Sequence, residues 1–106
     1  LEVALLALVV RFDIRDEESA VRFDELTERA VEQIQAKEPG TLLYATHKVV
    51  GEPLARVFYE VYADDAAFQA HETAEHVTAF HAAKNPLLVS HRVEFLSPAA
   101  TKGLSV

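Results

Sequence analysis

The 106-residue sequence contains no cysteine. That absence excludes a disulfide framework, thiolate–metal sites and a cysteine nucleophile together. It fits a reducing cytoplasm, the compartment expected here. Three glycines are too few for a Gly-rich phosphate loop, and no Gly-x-Ser-x-Gly elbow occurs. Lys and Arg number 10 against 17 Asp and Glu, giving a net charge of −7. The basic residues are scattered, and an acidic surface repels phosphate backbones, so nucleic acid is not an expected partner. The longest apolar run, Val3 to Val10, falls far short of the roughly 20 residues of a membrane helix. It also lacks the basic start and small-residue cleavage site of a signal peptide. With Leu1 in first position, an initiator Met and a few residues are expected to precede the sequence.

What is present describes one soluble domain: 50% hydrophobic residues, 25% charged, and a length that fits a single core. Glu2 to Ile14 carries eight consecutive apolar residues before Arg11 and Asp13, a pattern that suits a central strand buried on both faces. Asp16-Glu17-Glu18-Ser19 supplies a cap and acidic residues for a helix start. Phe23, Leu26, Ala30, Val31 and Ile34 then form one apolar helical stripe, ended by Glu38-Pro39-Gly40. Thr41 to Val50 and Arg56 to Tyr62 read as a hairpin about the turn Gly51-Glu52-Pro53. A second helical region starts at Asp64 or Asp65, carries Phe68, His71, Val77 and Phe80, and breaks at Asn85-Pro86. Leu87 to Leu96 forms a last strand, closed by Ser97-Pro98.

The order β-α-β-β-α-β predicts an α+β, ferredoxin-like fold, an antiparallel sheet with both helices on one face. Residues 1–98 make the domain, and 99–106 a loose tail or an arm around a partner. Two helices shield one side of the sheet, yet the first strand is apolar on both. A second copy packing sheet to sheet covers the other side, so a homodimer is expected.

Three stretches carry a family resemblance. Glu38-Pro39-Gly40-Thr41-Leu42-Leu43-Tyr44 resembles the helix end and second strand of antibiotic biosynthesis monooxygenase domains, and Phe58-Tyr59-Glu60-Val61-Tyr62 resembles their third strand. Asp64 to His71, with His76 and Ala79-Phe80, resembles their helical hallmark. The resemblance implies a dimeric α+β barrel with a ligand cavity in each subunit, between helices and sheet. It also implies oxidation of phenols or quinols by oxygen without metal or flavin, so no cofactor is expected. Other members degrade haem or act as isomerases on a quorum-signal sugar. The haem-degrading branch relies on an Asn in the first strand and on a Trp and a His in the second helical region. Aligned on Phe68, that His falls on His81 and that Trp on His71. There is no Trp here, and the one Asn is Asn85, so haem degradation is not expected.

His71, His76 and His81 look like a metal site, but five-residue steps turn neighbours about 140° apart on a helix. Helical metal pairs favour i,i+4 spacing, and no metal is expected. His71 follows Phe68 by three and turns towards the sheet, where a near-neutral imidazole can take the phenolic proton. His81 borders the same cavity on an unbroken helix. His76 reads as an exposed or capping residue, or as a structural or catalytic group through the resemblance. His47 interrupts an apolar strand face and needs a partner or a ligand, and His91 reads as exposed or at a dimer seam. Tyr62 replaces a common family Trp and keeps a ring while adding a hydroxyl. Alternation does not decide which face of the third strand meets the helices. Glu60 could orient a His, but it reads first as a rim salt bridge to Arg56 or Arg92.

The expected function is therefore a cofactor-independent monooxygenase of a small aromatic or quinol-like substrate. His71, Tyr62 and His81 are the catalytic candidates; His47, Phe68, His76, Val77 and Phe80 are the binding candidates. Two alternatives stand beside it. One is an isomerase or lyase on a small phosphorylated or hydroxylated carbonyl compound, marked by a basic anchor such as Arg92 or Lys48. The other is a non-catalytic ligand-binding or stress-response dimer, since fold alone does not license chemistry.

Overall fold

The computed structural model describes residues 5–104. Residues 1–4, where the sequence places the start of the first strand, and 105–106 of the tail lie outside the described residues. The elements run β1 (Leu6–Ile14), α1 (Glu17–Lys37), β2 (Thr41–Val49), β3 (Glu52–Tyr62), α2 (Asp65–Thr73), α3 (Glu75–Lys84) and β4 (Leu88–Leu96). A short 3₁₀ turn at Asn85–Leu87 leads into β4. All neighbouring strands pair antiparallel, in the order β2-β3-β1-β4. This is the ferredoxin-like arrangement. No helix among the described residues is long and apolar enough to cross a membrane.

Local chemistry sets the boundaries. Asp16 caps α1 by accepting the Ser19 N–H at 2.8 Å, and Asp64 caps α2 by accepting the Ala67 N–H at 2.7 Å. The β2–β3 turn is tighter than the Gly51-Glu52-Pro53 reading: β3 begins at Glu52, and Gly51 takes the left-handed conformation with φ +82°.

The strand register decides which residues share a face. Leu8, Val10 and Phe12 stand opposite Glu60, Phe58 and Arg56 on one side, and opposite Phe95, Val93 and His91 on the other. This face meets the helices, so Phe58, Glu60 and Tyr62 are the inward residues of β3. Phe12 and Phe58 pack edge to face at 4.7 Å, and Phe23 of α1 closes on Phe12 at 5.3 Å. Each such buried aromatic contributes roughly 1.5–3 kcal/mol. On the opposite face run the rows Ala45, Tyr59, Val9 and Leu43, Val61, Ala7, Leu96. Ala7 and Val61 are buried there, while Val9, Tyr59, Leu43 and Ala45 are half-exposed.

The second helical region departs from the sequence reading. It is not one helix: Ala74 adopts an extended backbone, φ −64° and ψ 137°, and separates α2 from α3. Alanine is the best helix former, so propensity gives no warning of this break. The 140° separation inferred for an unbroken helix therefore does not apply between His71 and His76.

Candidate active site

Between the sheet and α2–α3 lies a hollow of about 430 Å³, a size common among small-molecule sites. Leu8, Val10, Phe12, Phe68, Val93 and Phe95 supply apolar walls. Glu60, His71, Glu72, His81, Lys84 and His91 supply its ionisable groups. Strand alternation explains the mixture, since alternate positions of β1 and β4, with Glu60 of β3, place their side chains on the same floor.

The floor is organised by carboxylates. Glu38, at the C-terminal end of α1, receives His71 Nδ1 at 2.6 Å on one oxygen and His76 Nε2 on the other. Thr41 donates its hydroxyl to the same carboxylate at 2.6 Å. Burial works to raise the Glu38 pKa, but the hydrogen bonds from Thr41, His71 and His76 outweigh it and hold the group below its ordinary value. Glu38 is thus an acceptor, and His71 must present Nδ1–H to it. In the neutral imidazole the other ring nitrogen, Nε2, carries the lone pair; it lies 4.0 Å from Glu60 Oε1. The same Glu60 oxygen accepts the Tyr62 hydroxyl at 2.5 Å. A carboxylate that fixes an imidazole's tautomer and aims its far nitrogen is an arrangement suited to a general base.

Glu60 itself is 5% exposed. Desolvation pushes its pKa up to about 7, against the hydrogen bond from Tyr62 and with the charges of Glu72 and Glu38 adding to the rise. The Tyr62 hydroxyl is raised by burial and by the adjacent Glu60. On the far wall His81 stands 3.8 Å from Glu72, a contact that holds the Glu72 carboxyl below its ordinary value. Lys84 is buried and donates to Asn85 Oδ1 at 3.0 Å. Among the described residues no group of three or more His, Asp or Glu side chains is arranged to hold a metal ion.

The candidates read from sequence separate into those the hollow gathers and those it does not. Phe68, His71 and His81 line it, the last two in spite of the break at Ala74. Tyr62 stands behind the wall and reaches it through Glu60. His76 meets Glu38 instead of being an exposed or capping residue, and it borders a recess on the other side of α3. Val77 and Phe80, expected in the lining, lie in the core, where Phe80 packs against Phe23 and Phe58. His47 falls on the opposite face of the sheet by register with Val57, bonds the Val57 carbonyl at 3.0 Å, and is absent from the hollow's lining. His91 is exposed and lines the hollow.

Glu60 corrects a specific expectation. It makes no rim salt bridge: Arg56 is held by Asp24 at 2.9 Å and Arg92 by Glu94 at 2.6 Å. Its position between Phe58 and Tyr62, a charge inside an inward stripe, was the available signal. Glu38 also carried one, because an acid at a helix C-terminus opposes the helix dipole and needs a local reason to be there. Glu72, Lys84 and Tyr44 complete the polar lining, and nothing in their spacing distinguishes them.

The sequence matches the profile of the antibiotic biosynthesis monooxygenase family over residues 5–83. The chain belongs to that family. Solved structures agree in fold. A candidate antibiotic biosynthesis monooxygenase of Caulobacter crescentus superimposes with a TM-score of 0.86 at 21% identity, covering 92% of each chain. A counterpart from Nitrosomonas europaea gives 0.84 at 17% identity over 97% of this chain and 98% of its own. Rv0793 of Mycobacterium tuberculosis gives 0.83 at 20% identity over 92% and 97%. No curated protein matches the sequence. In this family member the matched stretch includes Glu38, Glu60, His71, His76 and His81. Lys84, Asn85, His91, Val93 and Phe95 lie beyond it.

Proposed function

We propose that this chain is a cofactor-independent monooxygenase of a small aromatic, quinol-like substrate, working as a cytoplasmic homodimer. The reading is carried by one observation: an apolar hollow whose floor holds a tautomer-fixed histidine, His71, beside a buried carboxyl, Glu60. An aromatic ring seated against Phe68 and Phe95 brings its hydroxyl to His71 Nε2. That nitrogen takes the proton, and the anion becomes electron-rich enough to reduce dioxygen. A carbon–oxygen bond forms at the ring, and a hydroperoxide results. Its O–O bond breaks with loss of the ring hydrogen as part of one water, leaving a quinone carbonyl. Glu60, poised near neutrality, supplies or accepts the second proton. The apolar walls keep bulk water from the anion while oxygen enters.

The test is oxygen uptake with a panel of quinols. His71→Ala and Glu60→Gln are expected to lower the rate by at least about a hundredfold, the usual scale of acid–base catalysis. Tyr62→Phe, which frees Glu60 of its hydroxyl partner, shifts the pH profile of the remaining activity. Unaltered rates in all three variants would remove these residues from the reaction.

The homodimer rests on the half-exposed face carrying Val9, Tyr59, Leu43 and Ala45, and on an edge strand whose Val89 and Phe95 are 71% and 60% exposed in a single copy. Sheet-to-sheet closure buries the first set. An isomerase acting on a carbonyl compound has less support. Of the basic anchors that would mark it, Arg92 and Lys48 are absent from the hollow's lining, and Lys84 is, among the described residues, the one basic side chain of that kind present there. A non-catalytic module would be favoured by a filled or collapsed cavity, whereas the hollow here spans about 430 Å³.

A further inference from the structure

Among the hollow's ionisable groups that the oxygenase chemistry above leaves unused, one is a buried lysine. Lys84 is the last residue of α3 and is only 5% exposed. A helix C-terminus favours a cation, but that preference does not bury one. Lys37 occupies the same place on α1 and is exposed. A lysine with solvent in reach extends its ammonium into water and leaves only its stem behind. Lys84 instead tucks Nζ over the rings of Phe12 and Phe80, at 5.2 and 5.5 Å.

Its neighbours do not neutralise it. The hydrogen bond it donates goes to the neutral Asn85 carboxamide. The hollow's other ionisable groups are Tyr44 from β2, Glu60 from β3, His71 and Glu72 from α2, His81 from α3 and His91 from β4. Glu72 is engaged by His81 and Glu60 by the Tyr62 hydroxyl. Among the described residues no carboxylate comes within ion-pair distance of the Lys84 ammonium. Burial lowers its pKa to about 8, partly offset by the charges of Glu72 and Glu60, so it is still a cation at pH 7. A buried cation served by one neutral acceptor lacks a counter-ion. It sits in the wall of a space shaped for a ligand.

We propose that Lys84, with the Asn85 amide beside it, is an anion-binding subsite, so that the ligand of this chain is a small aromatic compound bearing an acidic oxygen. That oxygen belongs to a carboxylate, separate from the hydroxyl that meets His71. The ring lies against Phe12, Phe68 and Phe95, while the oxygen replaces missing counter-charge at Nζ. The assignment rests on the hollow being the substrate site and deepens that reading. It makes the oxygenase substrate a phenol or quinol that also carries a carboxylate. A charge-assisted hydrogen bond in such a setting corresponds to roughly tenfold to hundredfold in affinity.

The experiment is a binding measurement that needs no turnover. Benzoate and 2-naphthoate are titrated by calorimetry into the full chain at pH 7, beside benzamide and 2-naphthamide, which share the ring and lack the charge. Each acid is expected to bind at least about tenfold tighter than its amide, and Lys84→Met, which keeps the apolar stem, abolishes the difference. Lys84→Arg retains a preference for the acid. Equal binding of acid and amide to the native chain overturns the assignment, as does a preference that survives Lys84→Met, which would put the anion at His81 or His91. Failure of both acids to bind at millimolar concentration overturns it as well. If Lys84→Met does not fold, the acid–amide contrast in the native chain and in Lys84→Arg still decides. Oxygen uptake is scored separately. A Lys84-dependent acid preference without uptake removes the oxygenase and keeps the subsite, whereas uptake with neutral quinols, unchanged in Lys84→Met, does the reverse.

Discussion

Replacing Glu60 by Gln is expected to make the protein more stable at pH 8 while damaging its chemistry. The buried carboxyl has a pKa of about 7 in the folded chain against an ordinary 4.5. Between those two values the folded state holds a proton that the unfolded state has released. Stability therefore falls as pH rises from 4.5 to 7 and is flat with respect to this group above that. At about 1.4 kcal/mol per pKa unit the ionised group costs roughly 3 kcal/mol at pH 8, and water entering from the mouth of the hollow reduces that towards 1. Glutamine is neutral throughout and still offers an oxygen to the Tyr62 hydroxyl. Urea unfolding at pH 4.5, 6 and 8 is the assay, at one protein concentration because assembly shifts apparent stability. The two proteins are expected to be about equal at pH 4.5 and to separate by about 1–3 kcal/mol at pH 8, with Gln ahead. A variant that is less stable than the native chain at pH 8, or that keeps the same fall between pH 4.5 and 7, would refute the reasoning.

Three further outcomes follow from the same geometry. Glu38→Gln removes a charge that holds His71, His76 and Thr41, and a loss of roughly 2–4 kcal/mol is expected. Because the folded Glu38 pKa is lowered, its contribution is present above the ordinary carboxylate range and fades as pH falls through the folded value, so the variant's acid-unfolding limb should be flatter by urea titration. Gly40→Ala would place a Cβ 2.6 Å from Ala67 Cβ on the first turn of α2, where no flexible side chain can yield. About 1–3 kcal/mol is expected to be lost in thermal unfolding, and His71 ring resonances should shift as Glu38 is displaced. Val9→Glu puts a charge in the middle of the half-exposed sheet face. Sedimentation at micromolar concentration should give a dimer for the native chain and a monomer for the variant.

The fold was legible because its signals are periodic. The apolar run into β1, the stripe from Phe23 to Ile34 and the turn glycine Gly51 each report local geometry, and the order of elements follows from them. The break at Ala74 was not legible, since a good helix former occupies the position where the helix ends. What the break accomplishes is long-range: it lets His71 on α2 and His76 on α3 reach the two oxygens of one carboxylate 33 and 38 residues earlier in the chain. The site was half legible for the same reason. Phe68 and His71 announce themselves by their spacing on a helix, whereas Glu38 and Lys84 gain their roles from partners on other elements. His47 shows the opposite failure. Its strand face looked like a core face by alternation, and only the pairing with β3 reveals that this row points away from the helices.

The ionisable groups around the hollow bear on whether it is a site or a packing remnant. A domain that needs only a core gains nothing by placing a carboxyl at position 60, where a leucine would cover Phe58 and Tyr62 without a desolvation cost. Nor does it gain from turning the lysine at 84 inward over two aromatic rings. The two groups are displaced in opposite directions, the acid upwards to about 7 and the base downwards to about 8. The acid is thus brought to where its proton is exchangeable near neutral pH, while the lysine stays a cation at pH 7. Both face a cavity between apolar walls, and an imidazole with its tautomer fixed from behind stands 4.0 Å from the acid. A carboxyl whose burial weakens the fold and whose proton is thereby made mobile is what proton transfer to and from a bound molecule requires, and a buried lysine beside it is what binding an anion requires. A stability gain in Glu60→Gln accompanied by loss of turnover would be the direct sign of that exchange.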